Sequence, residues 1–212
     1  MNTLELIEKI SAKDVDIDRF VQLALADAQI RAEIINQMLT HSHIMVYYHC
    51  FYVASKASRE KPELFYPYWD EIAALLDHKN SYHRDFALTI LANLTLVDEE
   101  NRFSEVFNAY FEHINDEKFM TGQCCIQNSR KILDHKPELR KPIIARLLDM
   151  DNSCHYTEKQ KAVLKCDVLN ILEGIYHQIR DQDVDEFIQT GVSSISPKTK
   201  RKAKALVKEY GI

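Results

Sequence analysis

A phrase used twice constrains this chain more than any other feature. Lys61-Pro62-Glu63-Leu64-Phe65-Tyr66-Pro67 returns as Lys136-Pro137-Glu138-Leu139-Arg140-Lys141-Pro142, 75 residues later. Both copies run into an apolar stretch ending Leu-Leu-Asp, at Leu75-Leu76-Asp77 and Leu147-Leu148-Asp149. That spacing is two units of 37 to 38 residues, so the chain is predicted to be built from stacked copies of one two-helix element. Such a scaffold offers a surface and specifies no reaction.

The remaining composition fits an all-α reading. With 46% hydrophobic and 28% charged residues the chain has the makeup of a folded globular protein. Its 4 glycines and 5 prolines are too few for the tight turns of a sandwich or barrel. No apolar run approaches the length of a membrane span, and the start, Met1-Asn2-Thr3-Leu4-Glu5, lacks the pattern of a secretory signal. The expected compartment is the cytoplasm, with no membrane partner. The five cysteines, Cys50, Cys124, Cys125, Cys154 and Cys166, include no C-x-x-C pair, so they are expected to be reduced and mostly to pack.

Aligning the second helix of each unit gives the register. Residues 82–94 match 45–57 at an offset of 37 and 120–132 at 38, with a fourth unit at 163–175. The slot of Ala87 is then Cys50 and Cys125, that of Leu88 is Phe51 and Ile126, and that of Leu94 is Ala57 and Ile132. Apolar recurrence at helical spacing marks a buried stripe. First helices are legible too: Phe103, Val106, Phe107, Tyr110, Phe111 and Ile114 make one apolar face, with Ser104 a candidate cap. Helices are also predicted at 4–10, at 15–39 with a break near Asp27, and at Val184–Thr190, stopped by Gly191. Ser196-Pro197 opens a last helix.

Leu75-Leu76-Asp77 followed by Arg84, Ala87 and Leu91 resembles a HEAT repeat. The resemblance covers about residues 30–175, and only the unit at 67–101 carries the full pattern. Elsewhere the Arg84 slot holds Tyr47 and Gly122, so the Asp–Arg ladder that the family implies is interrupted. It implies an all-α, α-α superhelix of about four HEAT-like hairpins. One domain is expected over 1–212: N-terminal helices at 1–29, repeats at 30–175 and capping helices at 176–212. The tetratricopeptide pattern fits less well, and a plain helical bundle is the architectural alternative.

No nucleophile elbow, phosphate loop, dinucleotide fingerprint or His-Glu-x-x-His occurs. No catalytic residue, cofactor or metal is assigned. Cys124-Cys125 reads as packing. Cys154-His155 could meet His177 or Cys166 at a metal, but adjacent ligands without a second spaced pair favour an ordinary loop. His41 and His43 read as turn residues. Trp69, with Ile72, Leu75 and Leu76 at helical spacing, favours the core over a partner anchor.

The candidate site lies opposite the buried stripe. Equivalent slots on the second helices give three rows: Tyr52, Thr89, Gln127; Tyr48, Asp85, Gln123; and Lys56, Asn93, Lys131, with Arg130 beside the last. Tyrosines and amides make contacts with little side-chain entropy to lose, so a protein or peptide partner is expected here. Charge bears on the alternative. Net charge is −5, made of a local +5 in residues 197–212 and −10 elsewhere. HEAT-like proteins of the alkylpurine DNA glycosylase kind grip duplex DNA in a basic groove, which makes nucleic acid the second candidate partner. A lyase or glycosylase would need a buried carboxylate or nucleophile in the groove, where Asp85 and Asp167 are the carboxylates that the register places. The basic tail, residues Lys198 to Lys208, is expected to cap the scaffold or meet an anionic ligand.

Overall fold

The computed structural model describes all 212 residues and contains helices, 3-10 turns and no strand. Its contacts gather into two compact units, Met1–Val106 and Phe107–Ile212.

The first unit holds α1 (Thr3–Ile10), α2 (Ile17–Ala26), α3 (Ala28–Thr40), α4 (Ile44–Glu60), α5 (Trp69–Ala73) and α6 (Ser81–Leu94). The break expected near Asp27 has a simple cause. Asp27 ends α2 in an extended conformation, and its carboxylate accepts from the N–H groups of Gln29 and Ile30, capping α3. α4 then packs against α2, α3 and α6. Ile34, Met38, Cys50, Val53, Ala54, Trp69, Ile72, Phe86 and Leu91 are fully or almost fully buried between these elements. Each such aliphatic or aromatic side chain contributes about 1.5–3 kcal/mol. Trp69 is therefore core, as its spacing indicated. Arg84, also buried, donates to the carbonyls of His78 and Lys79 in the turn before its own helix. Two adjoining backbone acceptors are thus satisfied by a guanidinium whose charge would otherwise be hard to bury.

α7 (Phe103–Glu112) contains the boundary between the units. The second unit continues with α8 (Phe119–His135), α9 (Arg140–Leu148), α10 (Met150–Ser153), α11 (Glu158–Ile179), α12 (Gln182–Gly191) and α13 (Pro197–Tyr210). The loop expected at Cys154-His155 is preceded directly by a helical turn, α10. α11 is the buried axis of the unit, meeting α8, α9, α10, α12 and α13. Thr157 and Gln160 form a reciprocal capping box at its start.

The repeated phrase has one conformation in both places. α4 and α8 are each 17 residues long and begin 75 residues apart, with α6 starting 37 after the first and 38 before the second. Lys61 and Lys136 end them at φ, ψ of −137°, 71° and −122°, 74°. The N–H groups of Lys61 and Lys136 reach back to Ala57 and Ile132, both at 2.8 Å. A 3-10 turn, Pro62–Leu64 or Pro137–Leu139, follows each with proline at its first position. Proline has no N–H to lose there. The aligned slots agree: Cys50, Ala87 and Cys125 are all 0% exposed, as are Ala57, Leu94 and Ile132.

Two local readings need correction. Gly191 does not stop α12 by entering a left-handed conformation; Val192 caps the helix at a right-handed φ of −64°. A methyl group on Gly191 would lie 2.9 Å from the Cβ of Ala203, so this glycine gives α13 room to pack. Ser104 is not the cap of α7. Asn101 turns the chain at φ 57°, and the buried Asp98 accepts from the N–H groups of Arg102 and Phe103 at 2.8 and 3.0 Å. The Tyr66 hydroxyl donates to the same carboxylate at 2.7 Å. Replacing Asp98 with Ala should therefore cost about 2–4 kcal/mol, a cap plus unsatisfied buried donors. Urea denaturation would show this, with Asp98→Asn losing less.

Candidate functional site

In the first unit the predicted residues fall on α4 and α6, at successive turns of each helix. Tyr48 and Tyr52 stand four apart on α4; Asp85 and Thr89 do so on α6. Tyr48 is half-buried and Tyr52 is 43% exposed. Their rings meet edge to face at 5.0 Å and 86°. Tyr82, which the aligned rows omitted, meets the Tyr48 ring at 5.4 Å and 84° and is itself 42% exposed. It stands three residues before Asp85, on the same helical face, so the 3.6-residue period that placed Asp85 also contained it. Beneath these rings Phe51 stacks on Phe86 at 4.2 Å and 11°. The Tyr48 phenol is pushed up to about 12, chiefly by burial, then by a hydrogen bond with Tyr52 and the nearby charge of Asp85. It therefore stays neutral at any physiological pH.

Lys56 and Asn93, the row nearest the end of α4, do other work. The Lys56 ammonium, although exposed, pairs with Asp18 at 2.7 Å. Asn93 is only 4% exposed, and its amide donates to the Ser55 carbonyl at 3.1 Å and the Ser58 hydroxyl at 2.9 Å. An asparagine buried between α4 and α6 ties the helices together and presents nothing to a partner. It leaves the proposed row on that ground.

The floor of this region contains a histidine pair. His83 is buried, its ring 4.3 Å from that of His78 and 5.0 Å from that of Tyr47. Its Nδ1 has no hydrogen-bond partner. Burial, and to a lesser degree His78, lower its pKa to about 4, against an opposing hydrogen bond with the Met38 backbone. An unfolded histidine takes up its proton near pH 6.5. Between about pH 6.5 and 4 the unfolded chain binds more protons at this site, so its contribution to stability falls as pH falls. Thermal midpoints measured across that window should decline more steeply for the natural protein than for His83→Gln.

In the second unit the predicted residues lie along α8. Gln123 and Gln127 both donate to Asp167 Oδ2 on α11, at 2.7 and 3.2 Å. Asp167, one of the two candidate carboxylates for a lyase or glycosylase, is thus held by two amides. Arg130 Nε donates to both oxygens of Asp134, at 3.1 and 3.0 Å. Its guanidinium lies across Gly174, where an added methyl would stand 1.7 Å from Nη1. Lys131 Nζ donates to Asn128 Oδ1 at 2.9 Å. Gln127, Arg130 and Asp167, with Asn170 and Ile171, line a surface depression of about 250 Å³. The face is polar and internally bonded, and Gln127 and Asn170 are its exposed members.

The other sequence candidates resolve by location. Cys125 is buried, its thiol donates to the Tyr110 carbonyl at 3.3 Å, and burial pushes it well above the usual thiol range. A thiol so held is a packing group. Cys154 donates to the Ile114 carbonyl, and His155 bonds Asn115. No three His, Cys, Asp or Glu side chains come together as metal ligands. On α13, Thr199, Ala203 and Leu206 are buried, while Lys198, Lys200, Arg201, Lys204 and Lys208 are exposed. Lys202 pairs with Glu173 at 2.5 Å. No helix is long and apolar enough to cross a membrane.

No family model matches the chain, and no curated protein matches it. Among solved structures it is similar to the crystal structure of an engineered protein, a structural-genomics target. That likeness covers 100% of this chain and 97% of the other, with a TM-score of 0.53 and 13% identity. A second engineered protein of the same origin covers 98% of each chain at a TM-score of 0.47 and 12% identity, which is too distant to support an argument. What the first likeness shows is the fold, and the chain is all-α.

Proposed function

We propose that this protein is a non-enzymatic interaction scaffold, a short solenoid of HEAT-like hairpins that binds a protein or peptide along the face formed by its second helices. The observation that carries the reading is the tyrosine group of Tyr48, Tyr52 and Tyr82. Large apolar-bodied side chains exposed together, held rigid by one another and carrying polar tips, are the anchors that interfaces favour. The repeat register supports the architecture: equal helix lengths, the twin Pro-Glu-Leu turns and equivalent buried slots are what copies of one hairpin would share.

Replacing Tyr52, Gln127 and Lys131 together should abolish capture of the partner from an extract of the native cells. The fold should survive. Losing the Gln127–Asp167 hydrogen bond removes about 1 kcal/mol, which shifts Tm by about 2–4 °C in a chain of this size. Unchanged capture by the triple variant would remove the second-helix face from the reading.

One observation favours nucleic acid as the alternative partner: the five exposed cations of α13. A labelled DNA duplex distinguishes the readings, since neutralising about four phosphates gives a log–log salt slope near −3.6. The scaffold reading expects no measurable duplex binding at moderate salt.

A further inference from the structure

We propose that the outward face of α13 docks an acidic segment of a protein partner, with Asp or Glu side chains repeating about every 6–7 Å. This rests on the scaffold reading only in taking a protein as the partner; the surface itself is separate from the second helices. Thr199, Ala203 and Leu206 turn one side of α13 into the core. On the exposed side Lys200, Lys204 and Lys208 follow at i, i+4 and i+8, with Arg201 beside them. Successive cations of that row are therefore about 6 Å apart along the axis. Lys202 is paired with Glu173. The side chains of Lys198, Lys200, Arg201, Lys204 and Lys208 have no ion pair or hydrogen bond.

The fold does not ask for this charge. Lys200 and Lys204, and again Lys204 and Lys208, are like-charge neighbours one turn apart, which weakens a helix. Lys198 and Lys200 lie at its start, where the backbone already carries positive partial charge and no acidic side chain offsets it. A cap that needed only to be wet would mix Glu with Lys and gain from the pairs. α13 is fixed by other means. Ser196 caps it, the Thr199 hydroxyl donates to the Ala162 carbonyl at 2.6 Å, and Tyr210 stacks on Tyr176 at 3.7 Å. The backbone beneath the cations is thus ordered before a partner arrives.

The extent of the charge selects the kind of anion. α13 has six Lys and Arg against one Glu, a net +5, whereas residues 107–196 of the same unit have 11 against 14, a net −3. The row from Lys200 to Lys208 is about 12 Å long. A nucleic acid or a membrane surface carries negative charge far beyond that length and would pass onto protein that is acidic on balance. A short acidic segment ends where the cations end. The face also lacks what nucleic acid uses: one arginine stands among the lysines, and the single aromatic ring of α13, Tyr210, is already stacked.

The test is a titration of the intact 15N-labelled protein by a peptide of alternating Glu and Ser, with alternating Gln and Ser as the neutral control. The acidic peptide alone should move the amide resonances of Lys198 to Lys208 in a saturable way, and less so as salt rises. Lys200→Gln with Lys204→Gln should weaken binding by about 2–30-fold, the equivalent of about 0.4–2 kcal/mol, while the thermal midpoint holds or rises. Lys13→Gln with Lys79→Gln removes the same charge from exposed positions elsewhere and should leave binding within about 2-fold. Equal binding of the neutral peptide, a silent α13, or equal weakening by the Lys13 and Lys79 pair would overturn the proposal. Tighter binding of a DNA duplex or of phosphatidylserine vesicles would overturn it in favour of phosphate. Self-association at low salt, lost in the Lys200 and Lys204 variant, would give the face to a second copy of the chain. A silent α13 beside capture abolished by the triple variant refutes this surface and keeps the scaffold reading; a responsive α13 beside unaltered capture does the reverse for the second-helix face.

Discussion

The long helices α4, α6 and α8 must each be buried along one side and wet along the other, and most of the structure follows from that requirement. Cys50, Ala87 and Cys125 occupy the same slot and are wholly withdrawn from water. Small side chains there let neighbouring backbones approach, as interiors packed to crystal density demand. Ala57, Leu94 and Ile132 mark the same stripe further along each helix. Once that stripe is fixed, the opposite side of each of these helices is left to carry polar and amphipathic residues.

Much of this was legible because periodicity reports burial directly. The helix break at Asp27, the proline-led turns and the Ser196 cap each rest on short-range backbone chemistry that neighbouring residues declare. Where the reading went astray, the deciding interaction came from a distant residue. Asp98 rather than Ser104 takes the first amides of α7, and its carboxylate is also bonded by the hydroxyl of Tyr66, 32 residues earlier. Gly191 is small for the sake of Ala203, on the following helix. Asn93 shares a slot with Lys56 and Lys131, yet it is buried because Ser55 and Ser58 accept its amide. An aligned column shows what kind of residue recurs, not which neighbours have claimed it.

The candidate surface divides by the same logic. On α8 the amides are already committed: Gln123 and Gln127 converge on one carboxylate, and Arg130 is spent on Asp134. Such bonds rigidify a face and lower its appetite for new partners. On α4 and α6 the tyrosines satisfy their rings against one another but keep part of each ring open. Aromatic groups restrained in this way lose little freedom on binding, which makes them the stronger part of the surface.

The chain's one tryptophan adds a practical consequence. Trp69 is 2% exposed, flanked by the Tyr66 ring at 5.5 Å and the Arg102 guanidinium at 5.5 Å. All three belong to the first compact unit. Indole emission therefore reports the opening of that unit alone. The ring resonances of Tyr176 and Tyr210, parallel and 3.7 Å apart near the carboxyl end, offer a site-resolved signal for the second. Followed together during denaturation, the two signals reveal whether the halves of the chain melt in one step or in succession.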